Sequence, residues 1–75
     1  MNRDEVVKTI MVNKLSSSRR KYHIHIVNAK WFPWYDVCTN TLWESDSKRE
    51  KVESQDFFNK YSNYEFKLVD AGQCE

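Results

Sequence analysis

KYHIHIVN, residues Lys21 to Asn28, alternates two sets of side chains: Tyr22, Ile24 and Ile26 against His23, His25 and Val27. Successive side chains on a strand point to opposite faces, so this stretch reads as a strand with Tyr22, Ile24 and Ile26 turned to a core. The fold is read outward from it. Upstream, VVKTIMVN (residues 6–13) is ambivalent. Apolar positions 6, 7, 10, 11 and 15 fit a helical stripe that Asn2 or Asp4 could cap. Val6, Val7, Thr9, Ile10 and Val12 are β-branched, which favours a strand. The reading taken is a strand, with a helix as the alternative. LSSSRR (15–20) is then a polar turn, and residues 6–28 form an antiparallel hairpin.

Downstream, Pro33 interrupts regular pairing between Lys30 and Trp34. A second run then places Tyr35, Val37, Thr39, Thr41 and Trp43 on one face, with Asp36, Cys38, Asn40 and Leu42 on the other. Ser47 and Glu50 make a capping-box pair for a helix starting at Lys48. The alternative is a hairpin through SDSKRE with a shorter helix capped by Ser54. Either way a helix carrying Phe57, Phe58 and Tyr61 ends near Tyr61, with Asn63 suited to a left-handed turn. YEFKLVD (64–70) closes the pattern as a strand with Tyr64, Phe66 and Leu68 inward, and residues 71–75 form a tail. The expected fold is α+β: a small single-layer antiparallel sheet in the order β-β-β-α-β, the first element being the ambivalent one, with one helix on one face. It occupies residues 1–75 as a single small domain. The β-β-α-β order also occurs in small phage-encoded inhibitors of host enzymes, although fold does not carry function; a phage or mobile-element origin is expected from the compactness of the chain.

Composition narrows the functions. The chain has 75 residues, 40% of them hydrophobic and 15% aromatic, with a net charge of +1. That is a small folded domain, without the high net charge of a disordered chain. Gly72 is the only glycine, so glycine-rich phosphate cradles, dinucleotide fingerprints and nucleophile elbows cannot be built. Met1 to Leu15 carry five charged residues, which leaves no apolar core for a secretory leader. With only Cys38 and Cys74 present, the expectation is a cytoplasmic protein with two free thiols, a bridge being the alternative. Residues 1–30 hold seven basic and two acidic residues, whereas residues 31–75 hold five and nine. The chain is dipolar along its sequence, unless folding interleaves the halves.

His23, His25, Cys38 and Cys74 are four donors, the number tetrahedral zinc takes. Their spacing matches no compact zinc module, and the two histidines read as solvent-facing strand residues, so no metal or other cofactor is expected. Cys38, a histidine and Asp36 could be drawn as a triad, but one helix on one sheet offers no water-excluding pocket or oxyanion site. No catalytic residue is expected. The densest chemistry is Trp31, Phe32, Trp34 and Tyr35 around Pro33, four of the eleven aromatic residues in five positions. Alternation turns one of each adjacent pair away from the core, and Tyr35 is favoured for the core and Trp31 for the surface. Large rings dominate interface hot spots. The expected function is therefore non-enzymatic: docking on a larger protein to modulate or inhibit it. Trp31, Phe32, Trp34 and Lys30 form the anchor, and Arg19, Arg20 and Lys21 steer an acidic partner. The alternative is nucleic-acid binding, with the 19–21 run on phosphates and the rings on bases. No membrane contact is expected, and the chain is expected to be a monomer or small homo-oligomer.

Overall fold

The computed structural model describes residues 2–75 and contains two helices and five strands: α1 (Arg3–Leu15), β1 (Arg20–Ile26), β2 (Trp34–Asp36), β3 (Thr41–Ser45), β4 (Lys48–Lys51), α2 (Ser54–Lys60) and β5 (Phe66–Gln73). The α+β class and the antiparallel sheet agree with the sequence reading, but the first element is the helix. Asn2 caps it, its side-chain oxygen accepting from the Glu5 amide at 2.9 Å. Asp4 and Glu5 lie in its first turn and Lys14 in its last, complementing the helix dipole. Val6, Ile10 and Asn13 are its buried positions, spaced as one helical face. β-branching is a preference of tenths of a kcal/mol per residue, and a cap plus a core-facing stripe outweighs it.

The run from Tyr35 to Trp43 also differs from expectation. It is two strands joined by a turn over residues 37–40. The Asp36 carboxylate accepts from the Cys38 amide at 2.9 Å, and Asn40 takes a left-handed conformation at φ 52°. Asp and Asn are the residues that fold a chain back this way. The turn resets the alternation, so Tyr35 shares the core face with Leu42, while Trp34 and Trp43 share the other. Further on, the hairpin alternative holds: β3 and β4 turn at Asp46 and Ser47, and α2 is the short helix. Glu53, not Ser54, stands at its N-cap, and the Ser54 hydroxyl instead accepts from Lys14 Nζ at 3.0 Å. Asn63 is not left-handed; among the described residues positive φ occurs at Phe32, Asn40 and Gly72.

The sheet order is β4-β3-β2-β1-β5, antiparallel throughout. β1 lies between β2 and β5, so the expected pairing of β1 with residues 6–13 is replaced by its pairing with the C-terminal strand. Ile24, Ile26, Tyr35, Leu42 and Phe66 turn to one face, where Val6 and Ile10 of α1 and Phe57, Phe58 and Tyr61 of α2 complete a single core. Phe57 is its hub, with the rings of Tyr35, Phe58, Tyr61 and Phe66 all within 6.0 Å. Tyr64, expected inward, stands outside β5 and is 39% exposed. The β4 edge is exposed at every residue and reads Lys-Arg-Glu-Lys, charges that discourage pairing with another edge.

Residues 71–73 continue β5, and Cys74 is bonded to Cys38 with their Cα atoms 5.7 Å apart. The bridge joins the β2–β3 turn to the end of β5 beside the start of β1, where the Cys74 amide donates to the Arg19 carbonyl. Free thiols were the expectation. Distance in the chain hid the pairing, because the two cysteines lie 36 positions apart and meet only once β2 and β5 flank β1. Among the described residues no helix is long and apolar enough to cross a membrane.

Candidate binding surfaces

Both helices cover the same side of the sheet, which leaves the other side open. Strand register fixes what stands there. Lys67 pairs with His25, His25 with Trp34, Trp34 with Trp43, and Trp43 with Arg49. These five residues form one row across all five strands, with cations at the two ends and rings between them. At a strand spacing of about 4.8 Å the row is about 19 Å long. A second row, two residues along each strand, holds Val69, His23, Asp36, Thr41 and Lys51. Lys21 follows on β1 by alternation.

The rings of the first row touch in sequence. His25 and Trp34 are 6.0 Å apart and 18° from parallel, and Trp34 and Trp43 are 5.5 Å apart and 2° from parallel. His23 leans on Trp34 from the second row at 4.5 Å. The Arg49 guanidinium sits 5.1 Å from the Trp43 ring centre. For parallel rings in contact at about 3.5 Å, a 5.5 Å separation means a sideways offset of about 4 Å. The two indoles therefore overlap only in part, and both side chains are half-buried. A hollow of about 530 Å³ lies beside them, bounded by Trp34, Asp36, Trp43, Arg49, Glu50 and Lys51.

Charge divides by face. In the two open rows the only carboxylate is Asp36, which is buried and spent on the Cys38 amide. Among the described residues no carboxylate lies within ion-pair distance of Lys21, Arg49, Lys51 or Lys67. Lys51 Nζ donates to the Thr39 carbonyl at 2.6 Å. Burial, then the charges of His23 and Lys67, holds the His25 imidazole below its ordinary pKa. Glu50 borders the hollow and Glu65 precedes Lys67 by two residues on the same side of the sheet, but neither is within ion-pair distance of these cations, and other acids of the second half are paired elsewhere. Glu44 takes Lys60 at 2.7 Å and Lys48 at 3.5 Å, and the hydrogen bond from Lys60 depresses its pKa.

The second surface is the β1–β2 loop. Both Trp31 and Phe32 are exposed, at 73% and 70%, and Lys30 Nζ lies 5.4 Å from the Trp31 ring centre. Alternation fails here because the loop is not a strand. It is tied down all the same: Pro33 is buried, its carbonyl accepts from Ile26, and Asn28 receives the Glu65 amide. Phe32 has φ 49°, a left-handed conformation that a bulky side chain rarely adopts. Of the next pair, Tyr35 is in the core and Trp34 on the open face, as alternation requires.

The remaining residues singled out from the sequence are spread apart. Arg20 is held on Asp70 by its Nε at 3.1 Å, and their mutual hydrogen bonds raise the Arg20 pKa and lower that of Asp70. Arg19 reaches the Lys14 carbonyl at 3.5 Å, and alternation from Tyr22 puts Lys21 on the open side of β1, beside the Cys38–Cys74 bridge. With the two cysteines bonded to each other, His23 and His25 lose the sulfur partners of the zinc arrangement, and Cys38 has no thiol for a triad. Trp43, Arg49 and Lys67 were missed from the sequence. The D-x-x-x-N turn signal at 36–40 would have found Trp43, but the cations are brought to the row by strand pairing alone. No known protein family matches the chain, and neither the curated proteins nor the solved structures contain a match.

Proposed function

We propose that this chain is a small binding protein that docks on a larger protein through the β1–β2 loop and modulates it by occupying a site. The observation that carries this reading is the pair of adjacent rings, Trp31 and Phe32, held largely in solvent on a loop anchored by Pro33. Exposed large rings on a tied backbone lose little freedom on binding, which is why such positions become hot spots. Phe32 supports it further. A left-handed non-glycine residue costs about 1–2 kcal/mol, and strain of that kind concentrates at functional sites. Action is by occupation, not catalysis. Lys30 stands over the Trp31 ring at the edge of the contact, and Arg19 supplies the unpaired steering charge of the basic run, Arg20 being held on Asp70.

Cytoplasmic action requires the Cys38–Cys74 bridge to be open there, since reducing compartments seldom keep such bonds. Alkylating the thiols at the moment of cell lysis distinguishes an open pair from a closed one.

The docking test uses two loop variants of the full chain. A partner is first cross-linked in the native cell and purified, and its affinity is then measured by calorimetry. Trp31→Ala is expected to weaken binding by about 2 kcal/mol, the size of a hot-spot loss. Phe32→Gly removes a ring and relieves its backbone, so it should weaken binding while leaving the melting temperature unchanged or raised. Full affinity in both variants would show that the rings are not the anchor, and melting that falls by many degrees in both would show that they serve the fold instead.

A further inference from the structure

We propose that the open face of the sheet is a second binding surface, independent of the loop, and that it takes a single-stranded nucleic acid. Stacking surface and several cations coincide there. The row Lys67–His25–Trp34–Trp43–Arg49 places three rings between two cations across the full width of the sheet. Lys21 and Lys51 add positive charge along the same face, and the one carboxylate in the open rows, Asp36, is buried in its own turn. Glu44 and Asp70 are given to Lys48, Lys60 and Arg20, and the cations of the open face have no acidic partner among the described residues.

The uncompensated charge calls for a polyanion, and the rings say which kind. An acidic peptide would satisfy the lysines and Arg49 but has no flat groups to lay on partly overlapped indoles. A duplex hides its base faces in its own stack. A single strand offers both: phosphates for the flanking cations, and base faces for the parts of Trp34 and Trp43 that the offset of the ring ladder leaves uncovered, a pairing that is indifferent to sequence because every base has a π-face. Phosphate contacts of this kind make affinity fall with salt, by about 0.7 log units per log unit of salt for each phosphate neutralised on a single strand. The basic run at 19–21 contributes Lys21 alone to this face, so the surface differs from the one the sequence suggested.

The test is fluorescence anisotropy of a labelled 15-mer of thymidylate with the oxidised full chain, titrated at several salt concentrations. Wild type is expected to bind, with a log–log salt dependence corresponding to two to four phosphate contacts. Trp43→Ala should weaken binding tenfold or more at fixed salt while leaving the salt slope unchanged, since a stacking ring carries no charge. Lys67→Glu, at an exposed edge position that does not threaten the fold, should weaken binding and flatten the slope by about one phosphate contact. Trp31→Ala should leave oligonucleotide binding unchanged, so failure of this surface and failure of the docking loop are read separately. No binding at low salt overturns the proposal. So does equal affinity for duplex DNA or for polyglutamate, or a Trp43→Ala variant that binds the 15-mer as wild type does; each would leave a cationic surface without base stacking.

Discussion

Tyr35 shows how one residue can be read correctly from the sequence and still hold more than the sequence shows. Its ring is fully buried and stacks on Phe57 at 4.6 Å. Its hydroxyl donates to the Val52 carbonyl at 2.6 Å and lies 3.0 Å from the Asn40 side-chain oxygen. Burial, with the nearby carboxylates of Glu53 and Asp36, pushes the phenol well above its ordinary pKa, so the hydroxyl stays a donor across the whole accessible pH range. Tyr35→Phe keeps the stack and leaves the Val52 carbonyl without this donor. It should cost about 1–3 kcal/mol in urea denaturation. An unchanged midpoint would mean that water replaces the hydroxyl at no loss. Alternation alone placed Tyr35 in the core, but nothing in the sequence linked it to Val52, 17 positions away.

At the scale of elements, the decisive junction is the one between α1 and β1. Asn13 is buried near the end of the helix, and its side chain bonds the Arg20 backbone twice: Nδ2 donates to the carbonyl at 2.9 Å and Oδ1 accepts from the amide at 2.8 Å. The amide side chain acts as a strand partner for the first residue of β1 and sets where the strand leaves the helix. Asn13→Ala removes both bonds and should lower stability by about 2–3 kcal/mol, with Asn13→Asp recovering part of it through the remaining acceptor. Equal thermal melting of the alanine variant and wild type would refute the clip. This junction also explains the misjudged first element. Read alone, VVKTIMVN weighs β-branching against a helical stripe; in the molecule, the stripe meets the core through Val6 and Ile10, while Asn13 finds a backbone that only β1 could supply.

Across the whole molecule, the C-terminal strand closes the sheet on β1 and the Cys38–Cys74 bond fastens that closure. The bridge encloses 36 positions, and a loop of that size restricts the unfolded chain by about 4 kcal/mol in the chain-entropy account. A 75-residue domain has little stability to spare, so Cys38→Ser with Cys74→Ser should lower the urea midpoint strongly, and wild type in reductant should follow it. Coincident unfolding curves with and without reductant would show that the bond adds nothing. What the sequence determined by itself was local: the alternation of β1, the aromatic helix ending near Tyr61, the strand around Phe66, and the wet and buried members of the Trp34–Tyr35 pair. These follow from side-chain period and from the solvent preference of each residue, which act over a few positions. Only the tertiary structure decided that residues 3–15 are a helix, that Cys38 meets Cys74, and that Lys67, His25, Trp34, Trp43 and Arg49 stand in one row. Those depend on which strands pair and in what register, and pairing joins residues from opposite ends of the chain that no local pattern connects.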